Sequence, residues 1–154
     1  MTLYFSEDIK EFLENLYKFS VKYLIVGGEA VIFYGYPRLT GDVDIFYECE
    51  ISNIENLYKA LNAFWDNSIP GIKSCGELLE PGLIVQFGVP PNRIDLINKI
   101  SGISFQEAWK DKITVKVHDK DLQFDIYYIG KKELIKNKTA SARPKDLEDL
   151  KFLN

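Results

Sequence analysis

Tyr23-Leu-Ile-Val-Gly-Gly-Glu-Ala-Val-Ile-Phe-Tyr-Gly-Tyr-Pro-Arg38-Leu-Thr40-Gly-Asp42-Val-Asp44-Ile-Phe-Tyr47 reads as a strand, a diglycine turn, a short helix and a second strand opening on two carboxylates. Side chains alternate along a strand, so Asp42 and Asp44 share one face while Val43 and Ile45 point into the opposite layer. The first strand, about residues 22 to 27, is almost continuously apolar and is expected near the middle of the sheet. The helix runs from Gly28 to about Tyr34 and stops at Gly35-Tyr-Pro37.

Two carboxylates held that close repel unless a positive charge lies between them. A divalent metal is the simplest partner, and an all-oxygen donor set suits magnesium, which keeps several waters and is commonly shared with substrate phosphates. After an apolar strand, Gly27-Gly28 lets the backbone bend sharply and opens a helix whose first amides attract phosphate. Metal and phosphate are therefore expected at one place.

Outward from this stretch, Ser6 is expected to cap a helix over about 7 to 20, with Ile9, Phe12, Leu13, Leu16 and Phe19 on one stripe. Ser52-Asn-Ile-Glu55 reads as a capping box for a helix ending near Trp65. Residues 67 to 82, with Pro70, Gly71, Gly76, Pro81 and Gly82, read as loop. Strands are expected at about 83 to 88 and 93 to 98 around Val89-Pro-Pro-Asn92, then a short helix opened by a second capping box at Ser104-Phe-Gln-Glu107. A hairpin is expected around Asp119-Lys-Asp121, followed by helices at about 131 to 138 and 144 to 153.

Asp95 lies in the second strand of that central pair, on one face with Arg93 and Ile97. A carboxylate in an apolar strand needs a partner, and a salt bridge to Arg38 or Arg93 is the structural reading. Asp125, between Gln123 and Tyr127, is a rival acid and more simply a solvated one. Residues 131 to 145 hold six basic side chains against one acidic, which by charge alone reads as a solvated basic face. In the last helix Leu147, Leu150 and Leu153 are expected inward, with Asp146 and Asp149 near one another. Arg38 can clamp a phosphate or support the aspartates, and Thr40 can bind phosphate or simply precede a strand. His118 reads as a surface residue, and Tyr36 as core or as a base-stacking ring.

The ordered set Gly27-Gly28, Arg38-x-Thr40-x-Asp42-x-Asp44, Asp95 and the tail Lys138-x-Ala-x-x-Arg143-x-x-Asp146 resembles the DNA polymerase beta-type nucleotidyltransferase superfamily. It is most similar to small bacterial members related to the toxins of abortive-infection toxin-antitoxin pairs. The resemblance implies one domain over 1 to 154 with an α/β (α+β) nucleotidyltransferase fold, a mixed twisted sheet with helices mainly on one side. It implies transfer of a nucleoside monophosphate from a nucleoside triphosphate (NTP) to an acceptor hydroxyl, RNA or a transfer-RNA end before a protein or small molecule. Asp42, Asp44 and Asp95 are then catalytic residues and ligands of two Mg2+ ions, with Mn2+ as the alternative. By the same resemblance Asp95 would orient or deprotonate the acceptor hydroxyl as general base. Gly27, Gly28, Arg38, Thr40, Lys138, Arg143, Lys145 and Asp146 are nucleotide-binding, with Lys131 a further phosphate contact and a protein antitoxin as partner. Gly28 stands where the family often has a serine, and Glu29 brings a negative charge beside it. Those two departures favour the rival reading, a non-catalytic nucleotide-binding or protein-interaction module.

The composition agrees with a folded domain: 46% hydrophobic and 27% charged residues over 154. A net charge of -4 argues against a surface that coats nucleic acid broadly. Cys49 and Cys75 lack metal spacing and read as reduced thiols. With no apolar run of membrane length and no secretory pattern at Met1–Asp8, a cytoplasmic protein without membrane association is expected.

Overall fold

In the computed structural model, which describes residues 5–36 and 42–154, six strands form one mixed sheet. The first helix, α1 (Glu7–Lys18), begins where expected, because Ser6 Oγ accepts a hydrogen bond from the Ile9 amide at 3.3 Å. Glu7 and Asp8 in its first turn and Lys18 in its last suit the helix dipole. Ile9, Phe12, Leu13 and Leu16 form its buried face. Strand β1 (Tyr23–Val26) follows, every residue buried, and runs into helix α2 (Gly27–Phe33) without an intervening loop. Strand β2 is Asp42–Tyr47.

Helix α3 (Ile51–Phe64) corrects the capping box expected at Ser52: its N-cap is Glu50, with no side-chain cap hydrogen bond. The anchoring comes from Asn53, which is buried and fully bonded. Its Oδ1 accepts from the Lys22 amide at 2.7 Å, and its Nδ2 donates to the Lys22 and Glu48 carbonyls at 3.0 and 2.9 Å. The start of β1, the end of β2 and the start of α3 are thereby tied together, and leaving such a buried amide unsatisfied costs about 1–3 kcal/mol. Within the stretch read as loop, Cys75–Leu79 forms a 3-10 helix whose capping box is Ser74 with Glu77.

Strands β3 (Ile84–Phe87) and β4 (Arg93–Ile97) pair antiparallel, then come α4 (Phe105–Lys110) and the hairpin β5 (Ile113–Asp119) and β6 (Leu122–Tyr128). At α4 the Ser104 hydroxyl does cap the Glu107 amide, at 3.2 Å. Helices α5 (Lys131–Ser141) and α6 (Pro144–Leu153) close the chain, separated by Ala142 in the left-handed region. The sheet order is β3-β4-β2-β1-β6-β5, so β1 and β2 are central. β1 pairs antiparallel with β2 and parallel with β6, and β2 parallel with β4.

The two longest helices, α1 and α3, pack together through Phe12 and Phe64, whose ring centroids are 5.2 Å apart. Tyr17 of α1 reaches Phe124 of β6. Phe105 of α4 meets Phe46, which by alternation lies on the same sheet face as Asp42 and Asp44. This is the mixed sheet with packed helices of a nucleotidyltransferase-type α+β fold. Among the described residues no helix is long and apolar enough to cross a membrane.

Candidate active site

Strand register assembles the site. Asp44 stands opposite Val26 of β1 on one side and Asp95 of β4 on the other, while Asp42 stands opposite Arg93. Asp42, Asp44, Arg93 and Asp95 therefore share one face at the mouth of the central strands. One oxygen from each of the three acids can be chosen so that all lie within 4.8 Å of one another. Asp95 is 6% exposed, and Asp42 and Asp44 are half-buried.

Arg93 bridges two of them. Its Nη2 donates to Asp42 Oδ2 at 2.9 Å and to Asp95 Oδ2 at 3.4 Å, and its Nε lies 3.1 Å from Asp95 Oδ1. That last approach is off the N–H direction, so both atoms are buried in an ion pair without a hydrogen bond. Burial, then the charges of Asp42 and Asp95, push Asp44 up to about 7. Burial and the contact with Asp42 raise Asp95 as well. For Asp42 burial acts upward too, but hydrogen bonding to Asp95 and Arg93 outweighs it and its pKa falls below the ordinary value. The donor set is all carboxylate oxygen and its own repulsion holds protons on the site, which fits a hard divalent cation.

Gly27 makes the close approach possible. It has φ +66°, and a Cβ there would collide with Asp44 Oδ2. Gly27→Ala is expected to destabilise the protein by about 2 kcal/mol, from left-handed strain and the displaced carboxylate, read as a lower melting temperature. An unchanged melting temperature would mean that Asp44 does not lie over this turn. Gly28 is buried inside the first turn of α2.

The tail is arranged differently from a row of solvated lysines. Lys138 is 3% exposed, with its ammonium 3.1 Å from Asp146 Oδ1 and 2.9 Å from Asp149 Oδ2. Asp146 is held further by Ser141 Oγ at 2.6 Å and by the Arg143 amide and Nε at 3.1 and 2.9 Å. The inward stripe expected for α6 holds at Leu153, which is buried, with Leu150 half-buried, and is corrected at Leu147. Asp146 and Asp149 are each 1% exposed while Leu147 is 50% exposed, because the buried ammonium draws the carboxylates inward.

Arg143 itself is 74% exposed, and the Asp44 charge is among those that raise its pKa, after its hydrogen bond to Asp146. The guanidinium thus sits within electrostatic reach of the acids. Lys131 and Lys145 are exposed. Tyr36 stacks on Phe152 of α6 with centroids 4.5 Å apart, so one face of its ring is taken. Asp125 pairs across the hairpin with Lys116 at 3.4 Å and is not part of the acid cluster. His118 is exposed. Arg38 and Thr40 lie outside the described residues.

Sequence reasoning weighed Arg93 only as a structural partner of Asp95, and its contact with Asp42 went unseen. The available signal was Arg-x-Asp on one strand beside Asp-x-Asp, which becomes a four-charge face only once the register is known.

A strand leading directly into a helix through a glycine in the left-handed region, beside three carboxylates on neighbouring strands, defines a protein of the nucleotidyltransferase class. Residues 4–152 match the family described as "Nucleotidyltransferase of unknown function (DUF6036)", and the chain belongs to that family. No curated protein matches the chain.

Proposed function

We propose that this chain is a divalent-metal-dependent enzyme that moves a nucleoside monophosphate from an NTP to an acceptor hydroxyl, releasing pyrophosphate. The observation that carries the reading is the meeting of Asp42, Asp44 and Asp95 on one sheet face beside Gly27. These three acids would hold Mg2+, or Mn2+ in its place. When bound, the metal would supply charge neutralisation for the phosphates and a template for the attacking and leaving oxygens.

Asp95 has a pKa above the ordinary carboxylate value and suits the role of base for the acceptor hydroxyl. Gly27 and Gly28 bring backbone close to the phosphates. The ion pairs of Lys138 support a role in holding α5 on α6, and in this reading the exposed Arg143 makes the phosphate contact, with Lys145 and Lys131 as further exposed cations. An RNA end as acceptor, and a role as the toxin of a toxin-antitoxin pair in the cytoplasm, rest on the likeness of the motif order alone.

The test is label transfer with magnesium and each of four alpha-labelled NTPs, offered with total RNA, with protein extract and alone. Label on RNA, absent in Asp42→Asn, is the expected result. Label on protein would keep the chemistry and change the acceptor. NTP binding without any transfer would favour a non-catalytic nucleotide-binding module.

A further inference from the structure

We propose that Arg93 is the resident counter-ion of the acid cluster: it pairs with Asp42 and Asp95 in the metal-free protein, releases them when a divalent cation is taken up, and then turns to the triphosphate. This rests on the nucleotidyltransferase reading above.

Arg93 is the first residue of β4, directly after the Val89–Asn92 turn, and its side chain is 30% exposed. The guanidinium therefore has a way out toward solvent while its stem stays on the sheet. Its Nη2 reaches both Asp42 Oδ2 and Asp95 Oδ2, and its Nε faces Asp95 Oδ1. Both of these acids belong to the three whose oxygens cluster within 4.8 Å. A guanidinium and a hard cation compete for the same carboxylate lone pairs, so Arg93 must give up at least part of its hold on loading.

The pairing is also imperfect. Arg93 Nε and Asp95 Oδ1 are buried at ion-pair distance without a hydrogen bond, whereas a fork fully matched to a carboxylate would make two. Charge points the same way. Three ionised acids and one arginine sum to two negative charges, which one divalent cation cancels. The triphosphate then adds negative charge beside an arginine that has lost its carboxylates, and bidentate guanidinium–phosphate pairing is a favoured outcome.

The experiment compares wild type with Arg93→Gln at pH 8.5, where proton competition at Asp44 is small. Binding of Mn2+ alone is followed by loss of the free-ion paramagnetic resonance signal, and binding of preformed Mn2+–tripolyphosphate by calorimetry. Arg93→Gln is expected to bind Mn2+ alone about tenfold more tightly and Mn2+–tripolyphosphate about tenfold more weakly. A merely structural arginine would weaken both together.

Unchanged or weaker Mn2+ binding by the variant, or unchanged tripolyphosphate binding, overturns the proposal. If wild type and variant both ignore Mn2+ in either form, the nucleotidyltransferase reading itself falls with it. Should Arg93→Gln fail to fold, Arg93→Lys carries the test. One ammonium replaces the two-armed fork, and the same two shifts are expected at roughly threefold. Their absence overturns the proposal in the same way.

Discussion

Asp44→Asn is expected to lower nucleotidyl transfer by about 10³-fold or more while raising the thermal stability of the metal-free protein. Both effects come from one carboxylate. Asp44 lies between Val26 and Asp95 in the register, and its ordinary pKa of 3.8 is raised to about 7 by burial and by its two acidic neighbours. Because the folded-state value lies above the unfolded one, the folded protein binds more protons between those two pH values. Its contribution to stability is full below about pH 4 and is lost as pH rises toward 7.

At pH 8 the wild type therefore carries a cost that an amide lacks, of a buried charge and its repulsion by Asp42 and Asp95, on the order of 2–4 kcal/mol. The variant should melt roughly 4–16 °C higher there and about level with wild type at pH 4. Thermal unfolding across pH, with label transfer alongside, checks both. Equal melting temperatures at pH 8 would show that an ionised Asp44 is neither buried at a cost nor repelled by its neighbours, and the case for a cation among the acids would weaken.

Lys138→Met is expected to cost about 3–5 kcal/mol of stability, because it removes the ammonium shared by two buried carboxylates, Asp146 and Asp149, between α5 and α6. The melting temperature should fall by roughly 6–20 °C. The loss should be largely recovered when Asp146 and Asp149 are replaced together by apolar residues of similar volume. Burial acts to raise Asp146, but hydrogen bonds from Arg143, Ser141 and Lys138 hold it well below its ordinary range. A depressed folded-state value contributes stability above the unfolded pKa that disappears as pH falls through the folded one, so this corner should loosen in acid below about pH 4. If Lys138→Met instead lost NTP affinity with little change in melting temperature, the lysine would be a phosphate contact.

The elements nearest the diglycine were legible because each follows a local rule. An all-apolar run buries on both faces, a glycine pair turns the chain, and Ser6 caps α1. Pro144 at the first turn of α6 is of the same kind. The failures were where a local signal lost to a distant partner. The Ser52 capping box gave way because Asn53 is held by the backbone of Lys22 and Glu48. In α6 Leu147 lost its inward place because Asp146 and Asp149 have a buried lysine to meet, while Leu153 kept its own.

By itself, then, the sequence determined the strand–Gly27-Gly28–helix unit, the common face of Asp42 and Asp44, and the candidacy of Asp95, since spacing alone decides which side chains share a face. Tertiary structure decided the pairing of β2 with β4 that sets Asp95 beside Asp44, the place of Arg93 between Asp42 and Asp95, and the burial of Lys138. Those depend on strand register and helix docking. They are fixed by contacts between residues far apart in the chain, where periodicity carries no information.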